Sequence, residues 1–312
     1  MQVARPATEP AINERSLSGA VLAVLSATCF GTLAILVKFA YRERVTTLQL
    51  VSIRFLIAAA GLWLVGLLSG QTPWRLSRRS LVILAVMGST LYSLQAFSYI
   101  FAVKQLPASL VSLMLYSYPA LVAIGAHFLF GRRLTRGHLA ALLGSFVGVA
   151  FLLGGAPRLA LSPALLIAGI APIVYTLYIL AGDVAMRGGH PIAAATVVMS
   201  AAAATFLVVA GIAGELRPPP TLAGAGLLIA IGVVPTIAAI TLFLAALPRI
   251  GGARVSLLSS WEPLVTVGLA ALLLGERLAW LQAAGGVLLV GAVMALQLRP
   301  GPRLPSAKGA PI

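Results

Sequence analysis

Charged residues are scarce in this chain. Of its 312 residues, 9% are Asp, Glu, Lys or Arg and 60% are hydrophobic, whereas an ordinary soluble domain has about 25% charged residues. Such a composition cannot cover the surface of a soluble fold with groups that water solvates. The low charge therefore excludes a soluble globular protein and predicts that the chain lies in a lipid bilayer.

Residue types that supply chemistry are scarce as well. The single cysteine, Cys29, excludes an intrachain disulfide, and there are three histidines and seven acidic residues. The sequence contains neither a His-Glu-x-x-His zinc motif nor a Gly-x-Ser-x-Gly nucleophile elbow. We therefore expect no enzyme activity, no metal site and no cofactor.

Apolar runs, by contrast, fill most of the chain. A helix needs about 20 apolar residues to cross the hydrocarbon layer, and the runs lack the alternation of a barrel strand. The sequence predicts an all-α integral membrane protein with ten transmembrane helices between tails at 1–16 and 299–312. The predicted spans are Leu17–Ala40, Thr46–Ser69, Leu81–Val103, Pro107–Phe130, Gly137–Leu153, Pro163–Ala185, Pro191–Ala213, Thr221–Leu247, Gly251–Leu274 and Leu278–Leu298.

The net charge of +15 is distributed unevenly across the predicted membrane. Fourteen of the 22 lysines and arginines fall in the tails and the linkers on the side of the tails, if Arg254 at the start of the ninth span is counted with the linker before it; six fall on the other side and two lie within spans. Basic residues accumulate on the cytoplasmic side of membrane proteins. We therefore expect the inner (plasma) membrane, both termini in the cytoplasm, contact with anionic lipid and no nucleic-acid partner.

An internal repeat relates the two halves of the chain. A shift of 144 residues places Val111-Ser112-Leu113 on Val255-Ser256-Leu257, Pro119 on Pro263 and Gly131 on Gly275. Each copy, 17–156 and 157–298, holds five helices, so the second copy enters the membrane from the opposite side. The sequence thus predicts two inverted five-helix repeats, in which substrate sites lie near the pseudo-two-fold axis at mid-depth.

Glu262 lies at the middle of the ninth span and is followed by Pro263. A charge at that depth costs about 2.5 to 3.5 kcal/mol on insertion scales, so it is a candidate functional group facing a cavity. Helical spacing then predicts polar rows that would bind a substrate. The predicted substrate-binding residues are Tyr92, Gln95, Tyr99, Tyr116, Tyr175, Tyr178, Trp261 and Glu262, and the predicted helix hinges are Pro119 and Pro263.

These residues have structural alternatives. The tyrosines could pack between helices with their hydroxyls hydrogen-bonded, and Glu262 could be a permanently paired carboxyl rather than a proton-coupling group. Arg54, about eight residues inside its span, could pair within the protein or with a substrate carboxylate. Glycines of the fifth and tenth spans are typical of close helix packing; they are Gly144, Gly148, Gly285, Gly286 and Gly291.

Several of these motifs together resemble a known family. They are Phe30-Gly31, Arg54, the pattern Leu-Pro-Ala-Ser through Pro119 to Gly131, and Glu262-Pro263 leading to Gly275-Glu276-Arg277-Leu278. The combination resembles the EamA branch of the drug/metabolite transporter (DMT) superfamily. That resemblance implies a transporter, often an exporter of amino acids or related metabolites, working by alternating access. The first copy departs from the pattern at Arg132, where the second has Glu276.

The predicted function is transport of a small amphipathic metabolite, with aromatic or hydrophobic amino acids favoured because tyrosines dominate the site. A carrier of cationic drugs, sugars or nucleosides is the alternative, and a channel or scaffold is a further one. The sequence leaves open the direction of net transport, the coupling ion, and whether the protein is a monomer or a homodimer.

Overall fold

The computed structural model describes residues 14–131, 134–155, 162–185 and 190–298. The predicted tails, except for the start of the first helix, and the linker residues Arg132 and Arg187 lie outside these ranges. Within them the chain is helical, and ten helices are long and apolar enough to cross a membrane. The prediction of an all-α membrane protein is confirmed.

The spans, numbered 1 to 10, begin and end within a few residues of the predicted limits. Spans 1, 3, 4, 8 and 9 each consist of more than one helical segment. The helices are Glu14–Gly31 and Leu33–Arg42 (span 1), Thr47–Ser69 (2), Arg78–Met87 and Ser93–Gln105 (3), Ala108–Leu115 and Tyr118–Phe130 (4), Arg136–Gly154 (5), Pro163–Ala185 (6), Pro191–Ile212 (7), Leu222–Gly232 and Ala239–Ile250 (8), Gly252–Ser259 and Trp261–Leu274 (9), and Trp280–Leu298 (10).

Spans 4 and 9 are interrupted at matching points. The interruption in span 4 is at Tyr116 and Ser117, and that in span 9 is at Ser260. Pro119 and Pro263 each lie in the first turn of the segment that follows. Because proline has no N–H and clashes with the carbonyl four residues back, it starts a helical segment more easily than it continues one.

Spans 3 and 8 carry matching π-helical turns, at Gly88–Tyr92 and Val233–Ala238. A Cβ on Gly88 would lie 3.0 Å from Ala201 Cβ in span 7, and one on Gly232 would lie 2.7 Å from Ile57 Cγ2 in span 2. The 144-residue shift carries Gly88 onto Gly232 and Ile57 onto Ala201, so each of these contacts is the counterpart of the other. The repeat is therefore preserved in the packing as well as in the sequence.

The pairing of spans follows the same symmetry. Span 1 packs against spans 8 and 9 as span 6 packs against spans 3 and 4, and span 2 packs against span 8 as span 7 packs against span 3. Spans 2 and 7, 4 and 9, and 5 and 10 pair with their own counterparts. Two inverted five-helix repeats related by a pseudo-two-fold axis account for this arrangement.

The two membrane faces are packed differently. We call the face where span 1 begins and span 10 ends the terminal face, and the other the opposite face. The largest core cluster includes Val45, Val103 and Leu106 and fills the half near the opposite face. Two smaller clusters, around Met87 and around Ala246, lie apart in the other half. The bundle is thus closed at the opposite face.

Spans 5 and 10 touch backbone to backbone. A Cβ on Gly285 would lie 2.6 Å from the Gly148 carbonyl oxygen, and one on Gly148 would lie 2.8 Å from the Gly285 carbonyl oxygen. Small residues at these two positions permit the approach, as predicted. Gly291, grouped with them from the sequence, has no heavy atom within 4 Å of its Cβ position, so that part of the prediction is wrong.

Gly285→Ala should lower the melting temperature of the purified protein, because its Cβ would meet backbone that cannot rotate away. Overpacking of this kind costs about 1 to 3 kcal/mol. Gly291→Ala is the matched control in the same helix, and it should be neutral or slightly stabilising. Equal melting temperatures for the two variants would contradict the close contact of spans 5 and 10.

Candidate functional site

A cavity of about 730 Å³ extends from the middle of the bundle to the terminal face. Its wall includes the ends of spans at that face, among them His138, Gly182, Leu247 and Gln297. At mid-depth it is lined by aromatic side chains from spans 1, 3, 4 and 6, namely Phe30, Tyr92, Tyr118, Tyr175 and Tyr178. The cavity is therefore open to one side of the membrane and ends in an aromatic region.

The tyrosine rings form a continuous arc around this inner end. Tyr118 meets Tyr175 edge-on with ring centroids 4.7 Å apart, and Tyr175 stacks on Tyr178 at 6.0 Å. Tyr178 contacts Tyr92 at 5.2 Å. At the other end of the arc, Tyr118 contacts Tyr116 at 5.9 Å. Such rings present flat apolar faces together with hydroxyl groups.

Tyr116 connects the arc to Glu262. Its hydroxyl lies 2.6 Å from the Ser259 carbonyl oxygen and 2.9 Å from Glu262 Oε2. Ser259 is four residues before Pro263, so its carbonyl has no intrahelical N–H partner. A buried carbonyl without a hydrogen bond costs free energy. Tyr116 therefore satisfies the backbone group that the proline leaves open.

The same geometry constrains the proton on Glu262. A tyrosine hydroxyl has one hydrogen to donate and can also accept. If that hydrogen goes to the Ser259 carbonyl, the contact with Glu262 is a full hydrogen bond only when the carboxyl is protonated and donates to the tyrosine oxygen. An ionised Glu262 would instead compete with the carbonyl for the tyrosine hydrogen.

Gly31 lets span 1 approach Glu262 closely. A Cβ at Gly31 would lie 2.8 Å from Val265 Cβ and 3.0 Å from the Glu262 carbonyl oxygen. The Thr266 hydroxyl donates to the Gly31 carbonyl at 3.0 Å. The neighbouring Phe30 lines the cavity. Of these two consecutive residues, Phe30 therefore forms part of the cavity wall, and Gly31 permits the close crossing of spans 1 and 9.

Arg54 lies deeper, between spans 2 and 8. Its side chain is buried, and its Nε donates to the Thr236 hydroxyl at 3.0 Å. Thr236 belongs to the π-helical turn of span 8. Among the described residues Arg54 pairs with no carboxylate.

The structure brings most of the predicted site residues together, in two layers. Tyr92, Tyr175 and Tyr178 line the cavity, while Tyr116 and the half-buried Glu262 lie just behind that wall. Gln95 and Tyr99 are buried further toward the opposite face. Pro119 lines the cavity and Pro263 is buried at the break in span 9.

Trp261 does not join the site. Its side chain is 47% exposed and shares the outer stripe of span 9 with Leu264 and Leu272. Adjacent residues on a helix point about 100° apart, so the neighbour of an inward-facing Glu262 faces the lipid. Helical spacing could have excluded Trp261 from the site.

Two aromatic residues at the inner end of the cavity, Tyr118 and Phe30, were missed in the sequence. Tyr118 lies next to Pro119 at the helix break, where the regular three-and-four spacing no longer applies. Phe30 was noted only as part of a motif. An aromatic residue beside a mid-span proline or glycine was the available signal for both. No group of three or more potential metal ligands occurs in the described ranges.

The fold and cavity define a multi-pass membrane protein with a central cavity that is open to one side. The model of the EamA-like transporter family matches residues 17–154 and 162–297. Because these two matches cover most of the chain, the chain belongs to the EamA-like transporter family. It is a membrane transporter of the DMT superfamily built from two copies of the family unit.

Solved structures give the same fold. One of the 25 matching chains, described only as the crystal structure of a protein, aligns with a TM-score of 0.62 and 21% identity. The alignment covers 89% of this chain and 96% of that one. At 21% identity, this alignment supports only the fold. A search of curated proteins finds no match.

Tyr116→Phe should destabilise the protein, because it leaves the Ser259 carbonyl without a donor. The cost of an unsatisfied buried acceptor is about 1 to 3 kcal/mol, which a thermal unfolding series in detergent would detect. Tyr178→Phe is the matched control, since Tyr178 contacts its neighbours through its ring. If both variants have the melting temperature of the unmodified protein, Tyr116 does not stabilise the protein through the Ser259 carbonyl.

Proposed function

We propose that this protein exports a small amphipathic metabolite, most favourably an aromatic or hydrophobic amino acid, by alternating access through the central cavity. The observation that carries the proposal is the inner end of the cavity, where a tyrosine arc adjoins the carboxyl of Glu262. Residues 17–156 and 157–298 are the two moving repeats in this proposal.

The arc accounts for the apolar part of such a substrate. The four tyrosines that line the cavity, together with Phe30, can stack on an aromatic side chain of the substrate or pack on an aliphatic one. They can also attract an ammonium group by cation–π interaction, which contributes about 0.5 to 2 kcal/mol. A sugar would need more hydrogen-bonding groups than this lining provides, which ranks carriers of sugars and nucleosides lower.

Two groups of opposite charge account for the zwitterionic part. Glu262 would hold the ammonium group of the substrate. Arg54, which lacks an acidic partner among the described residues, would attract the carboxylate from below the arc. A cationic drug would use Glu262 but would gain nothing from Arg54, so the zwitterion uses the site more fully.

The orientation of the cavity fits export. The basic residues favour a cytoplasmic location for both termini, so the terminal face would be the cytoplasmic face. The cavity would then be open to the cytoplasm, where an exporter takes up its substrate. Both termini in the cytoplasm and residence in the plasma membrane are part of this proposal.

A series of related ligands tests the two charged groups. In proteoliposomes, the unmodified protein should exchange phenylalanine and discriminate against phenethylamine, which lacks the carboxylate, and 3-phenylpropionate, which lacks the ammonium. Arg54→Gln should slow phenylalanine exchange roughly tenfold or more, because the buried charge that attracts the substrate carboxylate is lost. It should affect phenethylamine much less. Equal losses for both ligands would remove Arg54 from substrate recognition.

Proton coupling is tested at Glu262. The single tyrosine hydrogen shared between Ser259 and Glu262 favours a proton on the carboxyl in the present state, and substrate ammonium would displace it. Glu262→Gln should therefore abolish the response of exchange to a pH gradient. Exchange at the unmodified rate with the same pH dependence would refute both the coupling and the contact with substrate.

Pro119 and Pro263 would serve as hinges for the movement of the repeats. The interruptions at these prolines divide spans 4 and 9 into halves that can change angle without loss of further backbone hydrogen bonds. Pro119→Leu and Pro263→Leu should slow exchange more than they weaken substrate binding, measured separately by flux and by equilibrium binding. An unchanged exchange rate would argue against hinges.

A further inference from the structure

Spans 4 and 9 pack closely near one membrane face and separate toward the other. Near the opposite face, Ala108–Leu115 of span 4 packs against Trp261–Leu274 of span 9. Their other halves, Tyr118–Phe130 and Gly252–Ser259, are not packed together in the described part of the chain. Val122, Ala126 and Ser256 from those halves line the cavity instead. The pair is therefore closed at the opposite face and open at the terminal face.

Glu276, just after the end of span 9, links spans 9 and 4 by hydrogen bonds at the opposite face. Its Oε1 accepts the Ala108 N–H at 2.7 Å, and its Oε2 accepts the Ser109 N–H at 3.0 Å and the Ser109 hydroxyl at 2.6 Å. These are N–H groups of the first turn of span 4, which have no partner within the helix. A carboxylate at a helix N-terminus is stabilised by these donors and by the helix dipole.

The position at the terminal face that corresponds to Glu276 does not carry a carboxylate. In the 144-residue register the counterpart of Glu276 is Arg132, and the counterparts of Ala108 and Ser109 are Gly252 and Ala253. An arginine side chain has only donors and cannot accept hydrogen bonds from backbone N–H groups. The two faces therefore differ in sequence at the point where the inverted repeat would otherwise make them equal.

We propose that Glu276, with Ala108 and Ser109, forms a one-sided latch that holds the opposite face closed and biases the protein toward the state open at the terminal face. This inference rests on the alternating access of the proposed function, but not on the identity of the substrate. Opening toward the opposite face must break all three hydrogen bonds of the latch, and Arg132 at the counterpart position cannot replace them at the terminal face. The carboxylate thereby sets the resting conformation.

The other carboxylates near the opposite face have a different position. Glu215 accepts a hydrogen bond from the Thr46 hydroxyl, which joins spans 2 and 7. These spans are also joined near the terminal face, where the Ile192 N–H donates to Gln71 Oε1 at 3.4 Å. Since spans 2 and 7 are connected near both faces, Glu215 supports a constant contact. It is a matched control for Glu276.

Cysteine accessibility tests the latch without a substrate. Cys29→Ser removes the single native cysteine. In that background Ala108→Cys reports on the opposite face, where the side chain is fully buried, and Ser256→Cys reports on the cavity. A membrane-impermeant maleimide is applied to protein in lipid nanodiscs, so that both faces are accessible. It should label the thiol at position 256 readily and the thiol at position 108 slowly.

Glu276→Gln should raise labelling at position 108 relative to position 256 about tenfold, the change expected when charged hydrogen bonds at a helix N-terminus are weakened. Glu276→Ala should raise this ratio further, and Glu215→Gln should leave it unchanged. A folded Glu276→Gln protein with the original ratio would overturn the proposal, and so would an equal shift in Glu215→Gln. Because no substrate is present, failure of amino-acid exchange would leave this result unaffected.

Discussion

A hydrocarbon layer supplies no hydrogen-bond partners, so each backbone group opened by a broken helix must be satisfied by the protein itself. The break at Pro263 leaves the Ser259 carbonyl open at mid-membrane, and the Tyr116 hydroxyl satisfies it. That one bond joins the two repeats beside Glu262. It holds Tyr116, at one end of the tyrosine arc, against the carboxyl of Glu262.

The inverted repeat explains why these features come in pairs and why some of them do not. Interrupted spans 4 and 9 and π-helical turns in spans 3 and 8 occur in both copies. Arg54, Glu262 and Glu276 each occur in one copy only. Their counterparts in the 144-residue register are Val198, Tyr118 and Arg132. The symmetric backbone allows two equivalent arrangements of the helices. Because Arg54, Glu262 and Glu276 each occur in one copy only, these two arrangements differ in free energy.

Much of the fold could be predicted from the sequence, because hydropathy and a constant register leave few arrangements open. Ten spans and their approximate limits followed from the apolar runs, and the repeat followed from matches such as Pro119 and Pro263. The direction and depth of individual side chains were harder to predict. Tyr92, Gln95 and Tyr99 share one face of span 3, but they lie at different depths: Tyr92 reaches the cavity, and Gln95 and Tyr99 lie in the closed half of the bundle. Trp261 begins the second segment of span 9, and its side chain is exposed on the outer stripe of that segment.

The central claim is that an aromatic amino acid binds inside this cavity. Protection of a single cysteine from alkylation tests it most directly. In the Cys29→Ser background, Ala123→Cys places a thiol on the cavity wall. Phenylalanine should slow its reaction with a maleimide, with the same concentration dependence that phenylalanine shows in exchange. Saturable exchange of phenylalanine with no protection at position 123 would contradict the account.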